Sequence, residues 1–187
     1  MNAAVMKQAP VNGIETETLG ATVQAIRDDP ELGKAHFRVS NKWLSGNQNR
    51  STVSDFYGAK QEIAHKQNYE LLADEPPILA GNDDGPNPVE YLLHALASCV
   101  TTSLVAHAAV RGIQIEEVES QVEGDIDLRG YLGLAREVPK GYTDIRVNFK
   151  IRAPGTSPER LKQLSMFSPV FNTITNGAKV DIHVETE

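Results

Sequence analysis

One side chain in the 187 residues is built for covalent chemistry at sulfur: Cys99, the only cysteine, in NPVEYLLHALASCVTTSLVAHAAVRG at residues 87–112. A thiolate there could attack a peroxide or another electrophile, and Ser98, Thr102 and Ser103 are near enough in sequence to donate hydrogen bonds to it. The same residue types also suit a passive role. Free cysteine packs as a small hydrophobe, and hydroxyls inside a helix tend to bond back to the carbonyl four residues earlier. A thiol enzyme and a binding or structural protein therefore both stay open, and they part on the thiolate fraction at neutral pH.

Other chemistries find less support. His94 and His107 lie five and eight residues from Cys99 on the same predicted helix, off its stripe, so neither is placed as its general base. His183 alternates with Asp181 and Glu185 on the wet side of a predicted strand. No two of these have metal-ligand spacing with a third donor, so no metal is expected. GNDDGPNP introduces a helix but matches no nucleotide fingerprint, and no cofactor is expected. Eighteen basic against twenty-five acidic residues give a net charge of -7, which repels phosphate backbones and anionic lipid. Nucleic acid and membrane-surface partners are not expected.

The element that must position Cys99 is a long helix. Asn87 suits its N-cap, Pro88 its first turn, Glu90 the reach back of a capping box, and Gly112 its stop. Leu92, Leu96, Cys99, Ser103, Ala106 and Val110 form one stripe, while Leu93, Ala97, Val100 and Leu104 cover much of the remainder. A helix apolar nearly all round is expected to run through the centre of the fold. The run 91–110 has about the length of a membrane span, but its two histidines and four serine or threonine residues, with no basic cluster before it, favour a buried helix in a soluble protein.

Around that helix the pattern predicts an α+β fold. IETETLGATVQAIRDDPELG reads as a short amphipathic helix stopped at Asp29-Pro30 and Gly33. AHFRVSNKWL and STVSDFY read as strands joined by a turn over residues 45–49, with NYELLADEPPIL extending the sheet to the proline pair. IQIEEVESQVEGDIDL and TDIRVNFKIR read as strands with one wet face, linked through a loop, RGYLGLAREVPKG. Ser157-Pro158 and Ser168-Pro169 each open a helix, and AKVDIHVET reads as a closing strand. A lone cysteine makes no internal disulfide, and MNAAVMKQAPVNGIETE lacks the pattern of a signal peptide, so a reducing cytoplasm is the expected location.

The stretch GPNPVEYLLHALASC followed by TTSL resembles the OsmC/Ohr family of osmotically induced and organic-hydroperoxide-resistance proteins. So do the strand GYTDIRVNFKI and the ending SPVFNTITNGAKVDI. The resemblance covers residues 35–187 as an OsmC-like domain and leaves residues 1–34 as an N-terminal helical extension. It implies mainly antiparallel sheets packed on a long central helix in an intertwined homodimer with active sites at the subunit interface. It also implies a thiol-dependent peroxidase in oxidative-stress defence, acting on organic hydroperoxides. Cys99 matches the attacking cysteine.

The second cysteine of the family's peroxidases corresponds here to Ser168, and a hydroxyl cannot condense with a sulfenic acid to a disulfide. A single-cysteine cycle with an external thiol reductant is one expectation. The alternative is a non-catalytic protein of the same fold that binds an apolar small molecule and has lost turnover. The family also holds its thiolate with an arginine oriented by a glutamate. Arg50, in the turn SGNQNRST, is the candidate arginine and Arg38 the runner-up; a solvated turn residue is the plain alternative for Arg50. Val89 occupies the family's glutamate position and Glu90 follows it. Nine residues of helix separate Glu90 from Cys99 by about 13.5 Å, so Glu90 cannot touch that sulfur on its own helix. Its other role is the capping box, as the cap of the next helix is for Ser168.

Overall fold

The computed structural model describes residues 9–186. Contacts divide the chain into two compact units, one formed by Glu15–Leu92 and one by Pro10–Ile14 with residues 93–186.

In the first unit, α1 (Thr16–Asp28) ends where its pattern predicts. The Asp29 carboxylate accepts from the Glu31 N–H and opens a 3-10 turn, Pro30–Gly33. A four-stranded antiparallel sheet follows, built on β3 (Gln48–Gly58). β1 (Ala35–Phe37) and β2 (Ser40–Ser45) share one edge of β3, and β4 (Gln61–Ala73) runs along the other. Phe37, Phe56, His65 and Tyr69 form a ladder of ring contacts across it, with centroids 5.2–5.6 Å apart.

Two details differ from the sequence reading. The β2–β3 turn is only Gly46-Asn47, with Gly46 at φ +54°, so Arg50 stands on a strand and not in the turn. β4 also begins seven residues before the predicted Asn68. The tight turn before it uses Ala59 and Lys60, both at positive φ, where glycine or asparagine would have announced it. Lys60 pairs with Asp29, which ties that turn to the end of α1.

The long helix α2 spans Pro88–Ala109, with Asn87 Oδ1 accepting from the Val89 N–H at 2.9 Å. Past its end the Ile113 N–H bonds the Ala108 carbonyl and Gly112 takes φ +68°. Leu96, Val100, Leu104 and Ala108 are its buried stripe, spaced four residues apart. Leu92 and Val110, placed on the core stripe by the sequence reading, are exposed instead. By length and composition alone α2 is apolar enough to cross a membrane.

In the second unit, β5 (Glu117–Asp125) and β6 (Asp144–Arg152) pair antiparallel along their full length. Their polar face carries cross-strand charge pairs, among them Glu123 with Arg146 and Glu119 with Lys150. The other face of β6 presents Ile145, Val147, Phe149 and Ile151. The connecting loop holds a short helix, α3 (Leu128–Tyr131), whose Gly130 is needed because a Cβ there would lie 2.2 Å from the Pro139 carbonyl oxygen. α4 (Pro158–Ser165) and α5 (Pro169–Asn176) begin at the predicted serine-proline pairs.

The predicted closing strand is absent. Residues 177–186 alternate as expected but form no ladder, and Val180, Ile182 and Val184 are 78–84% exposed. Alternation supplies a face but not a neighbour, and in the single chain this segment has none.

Candidate functional site

Cys99 is a free thiol midway along α2, partly accessible, beside the buried Val100. The Thr102 hydroxyl donates to the Ser98 carbonyl at 2.9 Å, so its proton serves the helix backbone and not the sulfur.

The candidate arginines are engaged to different degrees. Arg38 is held by both Asp55 and Glu62, its charge neutralised from two sides, and these contacts push its pKa up. Arg50 lies opposite Lys42 and Leu72 in the sheet, half-exposed, with Glu70 at 3.9 Å as a loose partner. Glu90 Oε2 accepts from the Asn87 N–H at 2.9 Å, completing the capping box at the start of α2.

The segment that leads into α2 is organised by a residue the sequence reading passed over. Asp74 is 1% exposed, and its carboxylate accepts backbone N–H groups from Glu75, Asn82 and Asp84 at 2.8–3.2 Å, with Gln48 adding a weaker contact. Burial alone pushes this carboxyl up, but those donors outweigh it and hold the pKa below the usual 3.8. The chain folds back so tightly that a Cβ on Gly81 would lie 1.7 Å from the Glu75 carbonyl oxygen. The signal in the sequence was faint: an aspartate before a proline pair and two glycines in the following loop.

Ser168 is closed to solvent and caps α5, its Oγ accepting from the Phe171 N–H at 3.1 Å. The preceding residue, Phe167, stacks on His107 of α2 at 4.0 Å, and Arg111 donates to both the ring nitrogen and the carbonyl of His107. Burial, then the Arg111 charge, push the His107 pKa down.

Between α2, β6, α4 and α5 lies a cavity of about 780 Å³. Val100 lines it, as do the apolar face of β6, Leu161, Met166 and Phe171; Cys99 itself does not. Among the described residues no group of three or more histidine, cysteine or acidic side chains is arranged to hold a metal.

The free thiol on the long apolar helix, the antiparallel strand pair after it and the two serine-capped helices all fall within one stretch of the chain that a family model matches. The family model for OsmC-like proteins matches residues 81–183, and the chain belongs to that family. The fold is similar to that of an OsmC-like protein from Mycoplasma pneumoniae, at 18% identity and TM-score 0.56, covering 75% of this chain and 88% of that one. It is also similar to an OsmC-like protein of unknown function from Vibrio cholerae, at 13% identity and TM-score 0.55, covering 74% and 92%. Among curated proteins none matches the sequence.

Proposed function

We propose that the protein is a homodimeric, cytoplasmic OsmC-like peroxidase that reduces organic hydroperoxides at Cys99 and is reset by an external thiol. The observation that carries this reading is a free, partly accessible thiol on α2, within the residues matched by the family model and next in the chain to a residue that lines an apolar cavity. The thiolate attacks the O–O bond, sulfur is oxidised to a sulfenic acid, and the departing alkoxide takes a proton and leaves as an alcohol. Because Ser168 is a helix cap and carries no sulfur, an external thiol condenses with the sulfenic acid, releasing water. A second thiol then frees Cys99 as the oxidised disulfide departs. Of the two candidate arginines Arg50 is the freer, since Glu70 engages it only loosely while Arg38 is already neutralised.

The homodimer is supported by surface. The bare alternation of residues 177–186 and the exposed flanks of α2 are the kind of surface a second copy covers. Sedimentation equilibrium giving a monomer at micromolar concentration contradicts this part.

The second reading, a non-catalytic binder, draws on the cavity and on Ser168. Turnover separates the two: cumene hydroperoxide consumed in excess monothiol by the wild type but not by Cys99→Ala supports the peroxidase. No consumption by either favours the binder.

A further inference from the structure

We propose that Asn12 is a modification site: its side-chain amide latches the N-terminal segment onto the connection between α2 and β5, and its conversion to aspartate releases that latch irreversibly. Asn12 lies outside residues 81–183, the span that the family model matches, and the inference holds whether or not Cys99 turns over peroxide.

Val11 and Ile14 bond each other in both directions, N–H to carbonyl at 2.9–3.0 Å, and so close a two-residue turn over Asn12 and Gly13. Both central residues take positive φ, +53° and +76°, the conformation for which Asn-Gly is the favoured pair. Residues 10–14 belong to the same compact unit as the α2–β5 connection. Asn12 Nδ2 donates to the Ile113 carbonyl at 2.9 Å, and Oδ1 accepts from the Ile115 N–H at 2.8 Å. That edge needs one donor and one acceptor from a single planar group, and an amide supplies both. A carboxylate would set oxygen against the Ile113 carbonyl oxygen, acceptor against acceptor, and add a negative charge.

The same dipeptide is chemically labile. The Gly13 nitrogen, losing its proton, can attack the Asn12 side-chain carbonyl carbon; a C–N bond forms, ammonia leaves, and water opens the resulting succinimide to aspartate or isoaspartate. Glycine has no side chain to hinder the closure. While the latch is shut, the bonds to Ile113 and Ile115 keep the amide from swinging onto the Gly13 nitrogen. Opening permits the reaction, and the product cannot close again.

Full-length protein held at mildly alkaline pH, with and without urea, tests the proposal by peptide mapping that counts asparagine, aspartate and isoaspartate at position 12. In urea Asn12 is expected to convert alongside Asn176, which precedes Gly177 in the other Asn-Gly pair of the chain. Conversion of Asn12 in native buffer should be at least about tenfold slower, the scale of hydrogen bonds that stay closed most of the time. Hydrogen exchange at the Ile115 amide reads the latch itself. Asn12→Asp, and Asn12→Gly, which keeps the positive φ of the turn, should each lose at least about fivefold of that protection. Conversion as fast in native buffer as in urea, no conversion in urea while Asn176 converts, or unchanged protection of Ile115 in either variant overturns the proposal. A loss of circular dichroism in both variants, in place of a local loss at Ile115, overturns it as well.

Discussion

Ser168 Oγ accepts a hydrogen bond from the backbone N–H of Phe171 at 3.1 Å in a position closed to solvent. Ser168 is thus a structural cap with its own partner. Ser168→Ala is expected to destabilise the protein by about 1–2 kcal/mol. Urea unfolding at neutral pH measures it, and an unchanged midpoint would leave the cap without energetic weight.

Glu90 accepts from Asn87 as a capping box at the start of α2. Glu90→Gln keeps a group able to reach back and should be close to wild type, whereas Glu90→Ala should cost about 0.5–1 kcal/mol. Neither should slow oxidation of Cys99. A large loss of thiol reactivity in Glu90→Gln, with stability retained, would instead make Glu90 the residue that orients an arginine.

The sequence announces some of these features and hides others, for a physical reason. Serine or asparagine followed by proline is local chemistry, and it marks the starts of α2, α4 and α5 because cap, proline and first turn are adjacent in the chain. The alternation of β6 likewise needs only its own residues. What fails is what depends on a distant neighbour. Residues 177–186 carry the pattern of a strand without a pairing edge, and the β3–β4 turn takes positive φ at Ala59 and Lys60. Asp74 gains its meaning only when the loop through Asn82 and Asp84 returns to it.

The Asp74 cage should be visible on acidification. Its folded pKa lies below the ordinary 3.8, so the unfolded chain takes up the proton first. The stability it contributes is present above 3.8 and is lost as pH falls through the folded pKa. Asp74→Asn should flatten the acid limb of the stability curve below pH 4 while lowering stability at pH 7. A parallel probe is Gly81→Ala, where the 1.7 Å approach to Glu75 predicts a severe effect, about 3 kcal/mol or more and roughly 6–12 °C in Tm. A near-native Tm for that variant would contradict the tight return of the loop.

His107 titrates in a different window. Its pKa is pushed below the ordinary 6.5, so the unfolded state binds the proton more readily and stability falls as pH drops through 6.5 toward the folded value. His107→Phe keeps a ring to stack on Phe167 and should remove this slope between pH 7 and 5. Urea midpoints at three pH values suffice, and a slope that survives the substitution assigns the titration to another group.

The central claim concerns the sulfur of Cys99, and one measurement reaches it directly: intact mass and free-thiol count of the reduced protein after brief exposure to one equivalent of cumene hydroperoxide, with Cys99→Ser beside it. The account predicts rapid gain of one oxygen at Cys99, absent in the variant and reversed by added thiol. A thiol still unmodified at times when free cysteine has already reacted contradicts it, and makes Cys99 a packing residue of α2.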